Sequence, residues 1–406
     1  MAAVRVVVLN YDGGAVTMRC LEALLCTERD GHVLEIVLVD NASKDDVVAR
    51  VRAEHPEIRV VVNATNEGFA RGCNVALDNL DTIDFVALIN NDTIVEPGWL
   101  VPLVAAAQPD DVGAVCPKLL LNTWARVVRI DAAEPVGVRA LAVDATDALP
   151  EARFDERFEP TMRAGARWTR RSGAAVWWPV DEGDVSEVVV ELLAAGSAHA
   201  DIGDGTTATS VTVDAGGTTV ALRSVGRRRI INSAGCALYE GWTGGDRGFL
   251  EPDLGQFDAP AEVFAWSGGA VLLKAAYLRD VGVFDPTFFL YYEDFDLSWR
   301  GRSKGWRYVY EPASVVLHEH MHSSGANSEF HRFWNDRNRR LTLVKNAPAK
   351  VAVRVVVGAV VHSVRARRFG DLRIMRAVPH AMRERRRING ERTVGMTEIA
   401  CWMTAK

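Results

Sequence analysis

Short apolar runs alternate with amphipathic segments through the first third of the chain. The runs at residues 4–9, 35–39, 59–62 and 85–89 are rich in β-forming residues and end in polar turns, a pattern typical of buried strands. Segments with helical spacing of apolar residues lie between them. Strands that alternate with helices indicate βαβ units with right-handed crossovers. We therefore expect a mostly parallel, Rossmann-like sheet in an α/β fold.

The pattern changes in the middle of the chain. Between residues 126 and 229 helical periodicity disappears, and short β-like runs are separated by turn sequences such as Gly203-Asp204-Gly205. Such spacing predicts an inserted all-β, sandwich-like domain. The α/β pattern returns at residue 230. The expected division is a first α/β half at 1–125, the β-rich insertion at 126–229, a second α/β half at 230–346 and a basic helical tail at 347–406.

Composition and charge narrow the class of protein. The 406 residues are 48% apolar and 25% charged, and the net charge of −6 gives no overall footprint for nucleic acid. No signal peptide, spanning apolar run or cysteine framework is evident, so we expect a cytoplasmic protein with reduced thiols. The basic tail is explained either by a peripheral contact with the inner face of the plasma membrane or by helices packed on the domain.

Polar residues follow four of the predicted strands. They are Asn10-Tyr11, Asp40-Asn41, Asn66 with Gly68 and Asn74, and Asn91-Asp92. The carboxyl ends of parallel strands form the ligand crevice of an open α/β sheet, so these groups are expected to gather there. Asp40 can accept hydrogen bonds from a nucleotide base or ribose, Gly68 admits a diphosphate, and Asp92 suits Mg²⁺ or Mn²⁺. A helix is expected to follow at residues 75–80.

A second acidic group lies late in the chain, at Glu293-Asp294-Phe295-Asp296, after a run of aromatic residues. Burial and mutual repulsion raise the pKa of one of two adjacent acids towards neutrality, which suits a general base. We assign the base to Asp294, with Glu293 second. Asp296 is interpreted as a helix cap or a partner of the helix dipole.

The sequence His318-Glu319-His320-Met321-His322 matches the zinc-protease pattern. That chemistry needs both histidines on one face of a helix. Here a strand-like run precedes the motif and Ser-Ser-Gly follows it, which argues against a protease. Instead, His318 is predicted to be the second ligand of the cation at Asp92, and His320 and His322 are either spare ligands or surface histidines.

Together these motifs resemble the GT-A inverting glycosyltransferases of family 2, especially the bacterial rhamnosyltransferase-like branch. The resemblance covers about residues 4–124 and 230–346 and rests on an ordered set of motifs: V-V-L-N-Y at 7–11, V-L-V-D-N-A-S at 37–43, N-E-G-F-A-R-G-C-N at 66–74, N-N-D-T at 90–93, W-S-G-G-A at 266–270 and the run from Phe284 to Leu297. It implies a GT-A fold with Asp294 as catalytic base and Asp92 and His318 on a divalent cation. Nucleotide-sugar contacts are implied for Asn10, Tyr11, Asp40, Asn41, Asn66, Gly68, Arg71, Asn74 and Asn91.

Two features depart from the family pattern. The D-x-D metal motif has a single carboxylate here, at Asp92. The insertion at 126–229 is not part of the family core; either it binds carbohydrate, with Trp168, Trp177 and Trp178 stacking on sugar rings, or it mediates assembly, or these tryptophans pack in its core.

The resemblance implies metal-assisted, inverting transfer of a sugar from a nucleoside-diphosphate sugar to a hydroxyl group. Rhamnose is the first expectation, and galactofuranose or another hexose is the alternative. The acceptor is expected to be a cell-envelope glycan or lipid-linked saccharide, with an oligomer left open. The alternative from a different functional class is a non-catalytic glycan-binding protein that retains the fold of a transferase.

Overall fold

The computed structural model describes residues 1–155, 157–180, 187–223, 225–319, 329–365 and 375–405. The chain forms two compact units: residues 1–119, 233–247 and 259–406 make up the first, and residues 120–232 and 248–258 the second. The predicted insertion at 126–229 lies inside the second unit. The predicted borders at 125/126, 229/230 and 346/347 stay predictions.

The strands are β1 Ala3–Asn10, β2 Val33–Asp40, β3 Arg59–Val62, β4 Phe85–Asn90, β5 Thr93–Val95, β6 Val112–Ala132, β7 Val136–Val143, β8 Thr146–Asp147, β9 Arg153–Phe154, β10 Arg167–Trp168, β11 Ala174–Val180, β12 Glu187–Ala194, β13 Ser197–Gly203, β14 Ala208–Asp214, β15 Thr218–Arg223, β16 Arg227–Ser233, β17 Cys236–Tyr239, β18 Thr243–Asp246, β19 Ala261–Glu262, β20 Ala270–Lys274, β21 Arg307–His318 and β22 Met403–Thr404. The helices are α1 Gly14–Leu25, α2 Val47–Glu54, α3 Gly68–Asn74, α4 Leu100–Ala106, α5 Ala275–Val281, α6 Glu293–Ser303, α7 Glu329–Asn346, α8 Ala349–Arg365, α9 Val378–Glu391 and α10 Met396–Ala400.

The first unit is built on a parallel sheet. Strands β3, β2, β1 and β4 lie side by side and run parallel, and β20 adds antiparallel to β4. The register pairs Asn10 with Asp40 and Leu9 with Asn90, so the polar ends of β1, β2 and β4 are level. The predicted gathering of strand ends follows directly from this register.

Apolar side chains of the strands and helices form the core of this unit. On α1, Met18, Leu21 and Leu24 share one face because of their helical spacing, and all three are buried against the strands. Each buried side chain of this size contributes about 1.5–3 kcal/mol relative to exposure. The predicted helix at 75–80 is wrong. The helix of this region is α3, Gly68–Asn74, which begins at the left-handed Gly68 and ends before residue 75.

The second unit is a β-sandwich. The later part of β6 pairs with β11 and β13, whereas β7, β12 and β15 form a separate antiparallel sheet. Inward-facing residues of both sheets share one core. Trp168, Trp177 and Trp178 are at most 7% exposed. Of the alternatives for these tryptophans, packing in the core is therefore the one that the structure supports, and stacking on a bound sugar is not.

The C-terminal segment belongs to the first unit. Helices α8 and α9 both pack on α7, and β22 pairs in parallel with β17. The expected tail is therefore helical but ends in a strand. In the described residues no helix has both the length and the apolar character to cross a membrane. The predicted α/β fold with an inserted β-sandwich and C-terminal helices is confirmed.

Candidate active site

The ends of β1 and β2 are joined by a buried hydrogen-bond network. Asn10 donates from Nδ2 to Asp40 Oδ1 at 2.9 Å and to the Ser43 hydroxyl at 3.0 Å. The backbone N–H of Ser43 donates to Asp40 Oδ2 at 3.0 Å, which closes the turn after β2. Asn10 and Asp40 are almost fully buried, whereas Tyr11 is 48% exposed beside them. This corner therefore contains a carboxylate held by hydrogen bonds and, directly after Asn10 in the chain, an exposed aromatic side chain.

Asn41 and Asn66 shape the neighbouring loop. Asn41 Nδ2 donates to the carbonyl oxygen of Gly68 at 2.9 Å, and Asn66 Oδ1 accepts the Gly68 N–H at 2.9 Å. Gly68 has φ of +73°, and a Cβ there would lie 2.2 Å from the carbonyl oxygen of Phe289. Only glycine therefore permits this close approach. The amide of Asn41 is used to hold the loop.

The other residues predicted to contact the nucleotide sugar differ in their exposure and in their hydrogen bonds within the protein. Arg71 is largely exposed and pairs with Glu67 at 3.0 Å. Asn74 exchanges hydrogen bonds with the backbone of Phe284 at 2.8 and 3.1 Å, which ties α3 to the segment before the acidic motif. Asn91 donates to the Thr17 hydroxyl at 2.8 Å. Arg71 thus has a side chain open to solvent, whereas Asn74 links two chain segments.

Asp92 and His318 meet although 226 residues separate them. β5 pairs antiparallel with β21, and the register places His318 opposite Thr93. Asp92 Oδ1 consequently lies 3.0 Å from His318 Nε2. Two adjacent ligand atoms of an octahedral cation with bonds of about 2.1 Å are separated by a similar distance. Within the described ranges no third histidine, cysteine or acid completes a metal-ligand group. The pair fits a cation that takes its other ligands from phosphate oxygens and water, as Mg²⁺ commonly does.

Asp294 lies at the start of α6, close to the loop that enters β20. Its Oδ2 accepts the Gly268 N–H at 2.8 Å, and its Oδ1 accepts the Phe295 N–H at 2.7 Å. Burial raises the pKa of Asp294 to about 6 despite these hydrogen bonds. Burial also raises the pKa of Glu293, aided by the Asp294 charge, and Glu293 Oε2 has no hydrogen-bond partner among the described residues. Asp294 therefore has the environment of a base poised near neutrality.

A third acid, which the sequence analysis missed, lies beside these groups. Asp246 is the last residue of β18. Burial raises its pKa, and the side chains of Ser233, Cys236 and Ser267 oppose this rise; Cys236 Sγ lies 3.4 Å from Asp246 Oδ1. After burial itself, the Asp246 charge helps to raise the pKa of Asp294. The glycine pair before Asp246 was the available signal in the sequence, but glycine pairs are too common to be specific.

Asp296 is not the helix cap, because Tyr292 is the residue that precedes α6; Asp296 lies in the first turn of the helix, where a dipole partner is expected. Asp296 is fully buried in α6, where its Oδ2 accepts from Lys345 Nζ at 2.6 Å and its Oδ1 accepts from Asn346 at 2.8 Å. Lys345 Nζ also donates to Asp285 Oδ2 at 2.7 Å. A lysine at the end of α7 therefore joins two acids that flank the aromatic run.

The protease pattern does not form its required helix in the part that the structure describes. His318 is the last residue of β21, and Glu319 pairs with Arg19 at 2.7 Å. Glu319 is thus held as a salt-bridge partner, which speaks against a role as protease base. His320 and His322 lie outside the described residues.

Comparisons with known proteins show similarity to glycosyltransferases over part of the chain. Residues 5–135 match the family described as Glycosyl transferase family 2. N-acetylglucosaminyl-diphospho-decaprenol L-rhamnosyltransferase of Mycobacterium tuberculosis is 40% identical over 65 residues, 16% of this chain and 21% of that protein. N-acetylglucosaminyltransferase of Bradyrhizobium elkanii is 28% identical over 112 residues, 26% of this chain and 61% of that protein. A crystal structure of GalNAc-T7 with UDP, GalNAc and Mn²⁺ aligns with 85% of this chain and 48% of its own at 13% identity, with a TM-score of 0.48.

The family match falls on the segment that contains β1 to β4 and Asp92. The predicted resemblance to family 2 is therefore confirmed over this segment. The chain spans about a fifth (21%) of the length of the mycobacterial rhamnosyltransferase.

Proposed function

We propose that this protein is an inverting glycosyltransferase that uses a nucleoside-diphosphate sugar, with Asp294 as the general base. One observation carries the proposal: Asp294 and His318, a candidate ligand of the cation, lie close to two consecutive glycines. Gly268 donates its N–H to Asp294, and a Cβ on the next residue, Gly269, would lie 3.9 Å from His318 Cε1. A carboxylate with a pKa of about 6 and an Asp–His pair thus face the same short segment.

The chain's own residues supply the steps of the reaction. Asp40 and Asn10 form the corner that receives the nucleotide, and Gly68 leaves room for the backbone to approach the diphosphate. Asp294 accepts the proton of the acceptor hydroxyl, whose oxygen attacks the anomeric carbon opposite the departing diphosphate. Asp92 and His318 would hold a divalent cation, which supplies Lewis-acid stabilisation of the leaving group's negative charge when bound.

Rhamnose is the first candidate for the transferred sugar. The family resemblance supports it, and a rhamnosyltransferase is among the similar relatives over a short stretch. Galactofuranose or another hexose is the alternative. The proposed acceptor is a hydroxyl of a cell-envelope glycan or a lipid-linked saccharide.

A donor panel tests the reaction class. We expect slow hydrolysis of one nucleoside-diphosphate sugar, stimulated by Mn²⁺ or Mg²⁺ and abolished by chelation with EDTA. Asp92→Ala and His318→Ala should each lower this rate about 10- to 100-fold, since each removes one of the two protein ligands to the cation. The measurement is release of nucleoside diphosphate for each sugar, with and without metal.

The control is Asp81→Ala, at an exposed carboxylate of the same unit, which tests for non-specific damage to metal dependence. Turnover with no response to any divalent cation would remove the metal from the proposal. Absence of both turnover and nucleotide binding for all donors would contradict the transferase function and favour the glycan-binding rival.

We also propose that α8 places the protein on an anionic membrane surface, where a lipid-linked acceptor would lie. Val353, Val357 and Val361 recur at four-residue spacing and are 62%, 54% and 41% exposed. Lys350 and Arg354 are exposed on the same helix. An apolar stripe bordered by cations matches the chemistry of an anionic lipid surface.

Vesicle flotation tests this contact. We expect binding to vesicles that contain phosphatidylglycerol and weaker binding to pure phosphatidylcholine, because the lysine and arginine need anionic partners. Val353→Asp with Val357→Asp should reduce binding at least about tenfold without lowering the melting temperature, since both side chains are exposed. Concentration-dependent self-association without vesicle binding would assign the stripe to a second copy of the chain and overturn the membrane proposal.

A further inference from the structure

Two consecutive tyrosines precede the acidic pair in a left-handed backbone conformation. Tyr291 and Tyr292 both have φ of 69°, a region that non-glycine residues rarely adopt. Such residues persist where surrounding contacts hold them, and they cluster at functional sites. Tyr292 is the residue immediately before α6. The turn therefore sets the direction in which α6 begins and the place of Asp294.

Helix α7 supplies the contact that holds this turn. Asn338 is fully buried, and its Nδ2 donates to the carbonyl oxygens of Leu290 at 2.8 Å and Tyr291 at 2.9 Å. Its Oδ1 accepts from Arg337 Nη1 at 2.5 Å. Because a guanidinium can only donate, this contact fixes which end of the amide faces the turn. Both protons of one buried amide are thus used on the strained segment.

The same segment reaches the donor side of the site. The carbonyl oxygen of Phe289 accepts the Phe69 N–H at 2.7 Å at the start of α3. At the other end, Asn74 holds the backbone of Phe284. A displacement of the turn would therefore move the base relative to α3, where the diphosphate is proposed to bind.

We propose that Asn338 is a positioning residue for Asp294. By holding the carbonyl oxygens of Leu290 and Tyr291, it keeps the left-handed turn in place and the Asp294 carboxylate beside Gly268. Asn338 acts through the backbone and need not touch a substrate. The inference rests on the proposed glycosyl transfer with Asp294 as base.

Asn338→Asp is the sharpest variant, because it keeps the size of the side chain and removes the donor protons. Its kcat for donor hydrolysis is expected to fall about 10- to 100-fold, the loss that a misplaced catalytic group causes. The KM for the donor should stay within about twofold, since the strand-end residues are unchanged. Asn389→Asp, an exposed amide on α9, is the matched control and should retain wild-type kinetics.

A second substitution separates positioning from general structural damage. Glycine adopts φ of 69° without strain, so Tyr291→Gly should reduce the need for Asn338. We expect the loss of kcat caused by Asn338→Asp to be at least about threefold smaller in the Tyr291→Gly background than in the wild type. Equal losses in the two backgrounds would overturn the inference, as would wild-type kcat in Asn338→Asp.

Hydrogen exchange tests the positioning role of Asn338 without any need for catalytic turnover. If the wild type hydrolyses no donor, the proposed function fails, but the positioning role is still measurable. Asn338→Asp should then speed exchange in peptides that cover residues 289–297 at least about tenfold and leave β2 unchanged, because the turn loses its anchor. Unchanged exchange in residues 289–297 would overturn the inference independently of the reaction.

Discussion

Asp294→Asn is expected to lower glycosyl transfer about 10²- to 10⁴-fold, the range that a general base contributes. The amide cannot accept a proton from the acceptor hydroxyl, but its oxygen can still accept the Gly268 N–H that holds the wild-type carboxylate. Binding of the nucleoside diphosphate should therefore be unchanged by calorimetry, while its release from the donor sugar falls. Asp110→Asn, at an exposed carboxylate of the same unit, should behave as the wild type.

The pH dependence of the wild type gives an independent check on the same base. Because burial raises the pKa of Asp294 to about 6, the ionised form that accepts protons is lost below that pH. We expect kcat/KM to fall about tenfold per pH unit below about pH 6 and to level off above it. The residual activity of Asp294→Asn should not show this decrease of kcat/KM at low pH. A wild-type profile that is flat between about pH 5 and pH 7 would contradict Asp294 as base.

Stability should change in the opposite direction to activity. The pKa of Asp294 is raised from 3.8 to about 6 in the folded state, so the folded protein binds this proton more tightly than the unfolded chain. Stability is then lost as pH rises from about 4 to about 6, and at about pH 7 the fold carries the full cost of a buried charge. Asp294→Asn should therefore melt at a higher temperature than wild type at about pH 7, and this difference should disappear near about pH 4.

The strand-end half of the site was predictable because its signals are local. Asn10, Asp40 and Asp92 each follow an apolar run, and parallel strands bring their carboxyl ends to one edge without further information. The inserted sandwich was predictable for the same reason, since strand and turn signals alternate at short range. Its tryptophans were not assignable in this way, because an alternating pattern does not tell which face of a strand is buried until the second sheet is in place.

The rest depends on pairings between distant segments. His318 meets Asp92 through the antiparallel register of β21 with β5. That register was not visible in the sequence, although both residues were placed after strands. Asp246 reaches the site through the β17–β18 hairpin, and Asp296 is neutralised by a lysine 49 residues further along the chain. Asp296 was interpreted as a cap because local sequence patterns carry no information about a partner so distant in the chain.

Lys345→Met is expected to destabilise the fold strongly. The side chain is 1% exposed, and its ammonium group bridges Asp285 and Asp296. Burial would raise the pKa of Asp285, but the charge and hydrogen bond of Lys345, together with hydrogen bonds from Thr287, hold that pKa below its ordinary value. Loss of the lysine leaves two buried carboxylates without their shared cation, so the free energy of unfolding should fall by about 3–5 kcal/mol. Urea titration followed by tryptophan fluorescence measures this change, and Lys350→Met, at an exposed lysine, should alter it by less than about 0.5 kcal/mol.

The charges, rather than the packing of the lysine stem, are expected to cause this loss. Asp285→Asn added to Lys345→Met removes one of the two carboxylates that lose their ammonium partner, and it should recover at least about 1 kcal/mol of the lost stability. The sign of the pH dependence follows from the lowered pKa of Asp285: its contribution is present above the ordinary pKa of 3.8 and is lost as pH falls below it. The gap between wild type and Lys345→Met should therefore narrow in acid. A gap that stays constant from about pH 7 to about pH 3, or a double variant no more stable than Lys345→Met, would show that the lysine stabilises the fold by packing alone.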